Sequence, residues 1–426
     1  MINRHTLANG LRIIHSEDTT TQMVAVNVLY DVGARHEDAE HTGYAHLLEH
    51  LMFEGSVNIP DYDTHVQLAG GENNAWTNND LTNYYITLPK NNIETAFWLE
   101  SDRMLGLALT EESVEIQKGV VIEEFKQRHL NRPYGDVQHL IRPMAYKVHP
   151  YRWPTIGICI GHIEQATLND ITDFYRRHYT PDNAILSVVG NIGFDEVVRL
   201  ADKWFGPIPA SHTLHDNDGK NSSGETSKME HTPLDEPRQT RIRRKTVYRP
   251  VPSHMVVMAF HMPDRRDSDY HTCDLITDLL AAGQSSRLIQ HLVHRDKLFT
   301  SIDAYIQGSI DPGLLFVMGR LTEGTTCQMA EEAIWKELKA MKTKTVDEEE
   351  LNKVRNRSES ERTFNNINYL NRAVNLAQME LIGQDRTLDD ELQRYRSVTA
   401  HDIKRIARKL FVKRNCSILY YKKQDE

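Results

Sequence analysis

No apolar run in the 426 residues approaches the ~20 that a membrane-spanning helix needs. Cysteine is nearly as sparse. The four present, Cys159, Cys273, Cys327 and Cys416, are scattered, and no two form a C-x-x-C pair. That pattern suggests neither a disulfide framework nor a thiolate zinc site, so any metal must be held by histidine and carboxylate. An excess of positive charge is also missing. Lys plus Arg total 50 and Asp plus Glu total 60, giving 50 − 60 = −10, which argues against a nucleic-acid binder or a protein held on anionic lipid. The opening residues, Met1-Ile2-Asn3-Arg4-His5, show no basic stretch followed by an apolar one. No secretory signal is therefore expected, making the cytoplasm the default location and the periplasm the expectation if a leader has been removed. What remains, 39% hydrophobic and 26% charged residues, is the composition of a soluble globular protein, long enough for two or three domains.

The text turns polar from Ala210 to about Arg241, with runs such as Asp216-Asn217-Asp218-Gly219 and Asn221-Ser222-Ser223-Gly224. Such a stretch cannot bury enough apolar area to order itself and reads as a linker or mobile loop. The expected organisation is 1–210, a polar segment 211–241, and 242–426. The two halves echo one another: Thr167-Leu168-Asn169-Asp170-Ile171 recurs as Thr399-Ala400-His401-Asp402-Ile403, and Asn183 recurs as Asn415. Both pairs have the same offset, since 399 − 167 = 232 and 415 − 183 = 232. Each copy reads as a capped amphipathic helix, a turn and an apolar strand, as expected of a duplication. In the first half, Leu11 to Ile14, Val24 to Leu29 and Thr82 to Leu88 read as strands. Thr42 to Phe53, Glu94 to Leu105 and Glu111 to Asn131 read as helices. Interleaved elements with hairpin-like strand pairs predict an α+β chain of two homologous halves, each a mainly antiparallel sheet covered by helices on one face.

His46 and His50 are four residues apart, so on a helix they project from one face a turn apart and can bind one cation. Glu49 lies beside them, placed to handle a proton. The surrounding Leu47, Leu48, Leu51, Met52 and Phe53 are apolar, so the polar triplet needs a reason to sit in a buried helix, and a metal supplies it. Nitrogen and carboxylate ligands without thiolate favour zinc, whose catalytic sites use three protein ligands. Alone, the H-x-x-E-H pattern is only moderately specific.

Its company identifies a family. The run from Thr42 to Gly55, the block Gly70-Gly71-Glu72-Asn73-Asn74-Ala75-Trp76-Thr77, the triplet Asp102-Arg103-Met104 and the segment Gly119-Val120-Val121-Ile122-Glu123-Glu124 resemble the pitrilysin/insulysin group of inverted-motif zinc peptidases. So do His149-Pro150-Tyr151 and Tyr179-Thr180-Pro181-Asp182-Asn183. Within the group the chain is similar to the short-chain bacterial, processing-peptidase-like branch. The resemblance implies one zinc per chain on His46, His50 and Glu124, with Glu49 as catalytic base. Glu123 competes with Glu124, but neighbours on a helix differ by about 100°, so only one of them can face the metal. The resemblance also implies that Asn73, Asn74, Ala75, Trp76 and Thr77 form an edge strand to which a peptide substrate adds. Where the group often has a Glu seven residues before the ligand, this chain has Gln117, an amide able to hydrogen-bond near the site without charge.

The function implied is a zinc endopeptidase acting on peptides or unfolded polypeptides inside a chamber. The rival readings are a catalytically weak or structural family subunit and a metal-dependent hydrolase of another amide or ester. The second half has no histidine in the counterpart of the metal helix, Asp274 to Gly283, and so reads as catalytically silent. Single-chain and homodimeric relatives carry an Arg and a Tyr about seven residues apart that grip the substrate carbonyl. Aligned on the leucines, Val293 and Thr300 stand at those places here; Arg295 is a candidate shifted replacement, but the residue seven on is Ile302 and not Tyr. This implies a related partner subunit that supplies the pair, with a homodimer as the alternative.

Overall fold

The computed structural model describes residues 2–211, 236–383 and 387–424. Most of the expected polar segment 211–241 therefore lies outside the described residues. The chain divides into two compact units, and each is built on one sheet.

The first unit holds a six-stranded sheet in the order β1-β2-β6-β3-β5-β4. Its strands are β1 (Ile2–Thr6), β2 (Arg12–Glu17), β3 (Met23–Tyr30), β4 (Glu72–Thr77), β5 (Thr82–Pro89) and β6 (Ala184–Gly190). The β-branched run of β3 sits centrally, antiparallel to β5 from Met23↔Pro89 to Tyr30↔Thr82 and antiparallel to β6 on its other side. Only β2 and β6 pair in parallel. The second unit has five strands, β7 (Arg243–Arg249), β8 (Met255–His261), β9 (Phe299–Gln307), β10 (Leu314–Leu321) and β11 (Cys416–Lys423), in the order β7-β11-β8-β10-β9. Again one pair, β7 with β11, is parallel and the others are antiparallel.

The duplication runs through the structure at the offset read from the sequence. β3 and β8 begin 255 − 23 = 232 residues apart, β5 and β10 begin 314 − 82 = 232 apart, and β6 and β11 begin 416 − 184 = 232 apart. The helices Leu168–His178 and Ala400–Leu410 share that offset. Each opens on a capping box, Thr167 with Asp170 and Thr399 with Asp402, which satisfies the first free amides of its helix.

Compactness does not follow the division at 210 and 242. The first unit takes in Phe364–Asp385 from the C-terminal half, and the second takes in Lys126–Arg152 from the N-terminal half. The reason lies in the parity of the strands. In β8, Val256, Met258 and Phe260 join the core under the main helical layer. The alternate residues Val257 and Ala259 instead pack with Val137, Ile141, Met144 and Ala145 of the Val137–Ala145 helix. A strand buried on both faces needs cover on both. In the first unit the Tyr369–Leu381 helix packs on β2, β3 and β6, and Val24 to Tyr30 are buried on both parities. These two helices also start 369 − 137 = 232 residues apart. The repeats have thus exchanged equivalent helices. Within the first unit, Arg372 pairs with Asp18 and Arg4 with Glu380, which ties the exchanged helix down. No described helix is long and apolar enough to cross a membrane.

Candidate metal centre

The helix expected over Thr42 to Phe53 forms over Tyr44–Leu51. It starts late because Gly43 has φ +94°, a left-handed conformation that only glycine adopts easily. A Cβ there would also lie 2.8 Å from the Ile156 carbonyl. Tyr44, Ala45, Leu47, Leu48 and Leu51 are buried, which fixes the helix rotation and turns His46, Glu49 and His50 to the other side. The buried Glu37 carboxylate accepts the amides of Gly43 and Ala45, each at 2.9 Å. Burial pushes the Glu37 carboxyl up to about 8, although those amides favour its charged form. No sequence signal picked out Glu37, since an acid among Arg35, His36 and Asp38 reads as a solvated turn.

The facing helix was expected as one piece over Glu111 to Asn131. It runs as an α-helix over Glu111–Phe125 and continues as a π turn over Lys126–Leu130. Glu124 is half-buried on it, while Glu123 points to solvent. The Glu124 Oε2 atom lies 3.7 Å from His46 Nε2 and 3.4 Å from His50 Nε2. One donor atom from each of the three falls within 4.8 Å of the others, the one such group of three or more among the described residues. Donors at about 2.0–2.1 Å from a tetrahedral ion stand about 3.4 Å apart, so this spacing fits a zinc ion. The donor set, two imidazoles and one carboxylate, fits it as well.

β4 is the edge strand, as expected, and carries Asn73, Asn74, Ala75, Trp76 and Thr77. It pairs with β5 (Ala75↔Tyr84, Thr77↔Thr82) on one side only. Asn73 donates to Asp63 at 2.9 Å. Thr77 Oγ1 donates to Glu49 Oε2 at 2.5 Å, a contact that the motif reading did not anticipate. Gln117 donates its amide to the exposed Glu54, which places it at the rim on the chain following His50.

In the second unit, the offset of 232 carries His46 onto Asp278, His50 onto Ala282 and Glu124 onto Asn356. The donor set is gone. Burial pushes the Asp278 carboxyl up to about 7, with Asp274 adding to the shift. Val293 lies in the helical turn Ile289–Arg295, and Thr300 stands exposed on β9, donating to the Arg320 carbonyl at 3.2 Å. Arg295 is engaged by its neighbour Asp296 at 2.7 Å.

Comparison with known proteins gives the family. Residues 12–157 match the family described as insulinase (peptidase family M16), and residues 165–358 match the peptidase M16 inactive domain. The zinc protease PqqE of Helicobacter pylori is 28% identical over 95% of this chain and 89% of its own length. An uncharacterised zinc protease of Bacillus subtilis, YmxG, is 25% identical over 96% of both chains. Among solved structures, a protease from Helicobacter pylori superposes with a TM-score of 0.91 at 26% identity, covering 99% of each chain. A peptidase M16 inactive domain from Pseudomonas fluorescens shares the fold, with a TM-score of 0.83 at 14% identity. Two family matches spanning most of the sequence, full-length relatives named as zinc proteases and a shared two-unit fold place the chain in the insulinase family of peptidases, family M16.

Proposed function

We propose that the chain is a zinc endopeptidase that hydrolyses peptides or unfolded polypeptides. His46, His50 and Glu124 hold one ion, and Glu49 serves as general base. The observation that carries this reading is the convergence of three donor atoms beside a fourth, unligating carboxylate on the same helix face. When bound, zinc supplies Lewis acidity, lowering the pKa of water and polarising a carbonyl. Glu49 takes the proton from the attacking water and delivers it to the departing amine. The open edge of β4 offers main-chain donors and acceptors to an extended peptide, which fixes the scissile bond with little demand on its sequence.

With Val293 and Thr300 in place of the Arg and Tyr of single-chain relatives, the chain lacks that donor pair for the developing oxyanion. Losing one such donor costs about a hundredfold or more in rate. A related subunit that contributes the pair completes the enzyme. The test is cleavage of a quenched peptide by the chain alone and by the chain co-expressed with a family member encoded beside it, each before and after chelation. Chelator-sensitive cleavage that rises about a hundredfold with the neighbour supports the whole reading. Full activity from the isolated chain removes the partner, and zinc binding without cleavage in either sample makes the chain a structural subunit.

A further inference from the structure

The hydroxyls behind Glu49 have only one consistent proton arrangement. A threonine hydroxyl carries a single proton. Thr82 gives its proton to the Val32 carbonyl at 2.9 Å, so towards other groups Thr82 Oγ1 can only accept. The Tyr179 hydroxyl approaches that oxygen at 3.4 Å, and Thr77 Oγ1 lies 3.3 Å from it. The proton on Thr77 therefore has two acceptors to choose from, a hydroxyl at 3.3 Å and the Glu49 carboxylate at 2.5 Å. Short hydroxyl-to-carboxylate bonds of about 2.5–2.7 Å are the stronger kind, and the proton goes to Glu49. Thr77 is the last residue of β4 and is paired directly with Thr82, so the sheet ladder fixes where this hydroxyl sits.

We infer that Thr77 is a positioning residue for Glu49. Its hydroxyl pins Oε2 against the end of the edge strand. A glutamate side chain has several rotatable bonds, and this hydrogen bond narrows the rotamers it samples. The same strand end that would receive the substrate therefore holds the base. This inference rests on the assignment of Glu49 as base.

The test compares Thr77→Val, which keeps the shape and strand preference but removes the proton, with Thr77→Ser, which keeps the proton. Misplacing a reacting group by about an ångström can cost up to a hundredfold. The expected result for Thr77→Val is a 10- to 100-fold lower kcat, little change in KM, unchanged zinc per chain, and a crystal structure in which the Glu49 carboxylate has left its wild-type position. Thr77→Ser should recover most of the rate. Wild-type kcat in Thr77→Val, an effect on KM alone, loss of zinc, or an unmoved Glu49 in the variant crystal would each overturn the inference. Should Glu49→Gln prove as active as wild type, the base assignment fails instead. The crystallographic position of Glu49 in Thr77→Val still decides whether the hydroxyl holds it.

Discussion

The Glu37 carboxylate accepts the backbone amide of Ala45 at 2.9 Å, one residue before His46. With the Gly43 amide on its other oxygen, it anchors the start of the metal helix from within the core. Glu37→Gln replaces one acceptor oxygen by an NH2 group that cannot accept an amide. The expected loss is about 2 kcal/mol of stability, the scale for leaving one buried amide without its acceptor. Urea unfolding measures it, with Glu40→Gln, an exposed neighbour, as a control that should stay within about 0.5 kcal/mol of wild type.

Glu124 lies 3.4 Å from His50 Nε2, and Glu123 points to solvent. Glu124→Gln should lose most of its zinc on dialysis against a mild chelator, while Glu123→Gln should keep it. Equal metal content in the two variants would remove Glu124 from the ligand set.

The exchanged helix makes the first 210 residues incomplete. Ala373, Leu376 and Ala377 are buried in a helix that packs on β2, β3 and β6, so a 1–210 fragment would leave the apolar back of its sheet open to water. That fragment should unfold without a sharp transition, and a peptide of residues 364–385 should restore one. A cooperative transition at the midpoint of the whole chain, without the peptide, would show that the helix is dispensable.

Burial pushes His178 down from 6.5 to about 4, with Arg177 adding to the effect. The imidazole is thus neutral when folded. Between pH 6.5 and 4 the unfolded chain binds a proton that the folded chain does not, so stability falls as pH falls through that window. The loss from this group is about 2 kcal/mol at pH 5 relative to pH 7 and approaches ~3 kcal/mol at lower pH. Unfolding at pH 7 and pH 5 should show His178→Gln to be less pH-dependent than wild type by about that amount. Identical pH dependence would mean His178 is charged in the fold.

Much of this was legible in the sequence because it is written in local patterns. The alternating runs at Val24 to Leu29 and Thr82 to Leu88 became β3 and β5, and the Thr167 and Thr399 caps marked the repeat. The spacing of His46 and His50 defined the centre. The exchange of Val137–Ala145 and Tyr369–Leu381 was not legible, because an amphipathic helix does not say which sheet it covers. The break after Phe125 was missed for a similar reason, since polar residues such as Lys126 and Gln127 continue a helical text without interruption. The contact of Thr77 with Glu49 joins residues 28 apart through the sheet ladder, which no periodicity encodes.

The central claim is that Glu49 moves a proton beside a metal that it does not hold. Zinc content and peptide cleavage of Glu49→Gln, purified with its partner where one is found, test it in one preparation. Zinc at about one per chain, with cleavage reduced 100-fold or more, is the predicted result. Undiminished cleavage, or zinc lost together with activity, would contradict the account.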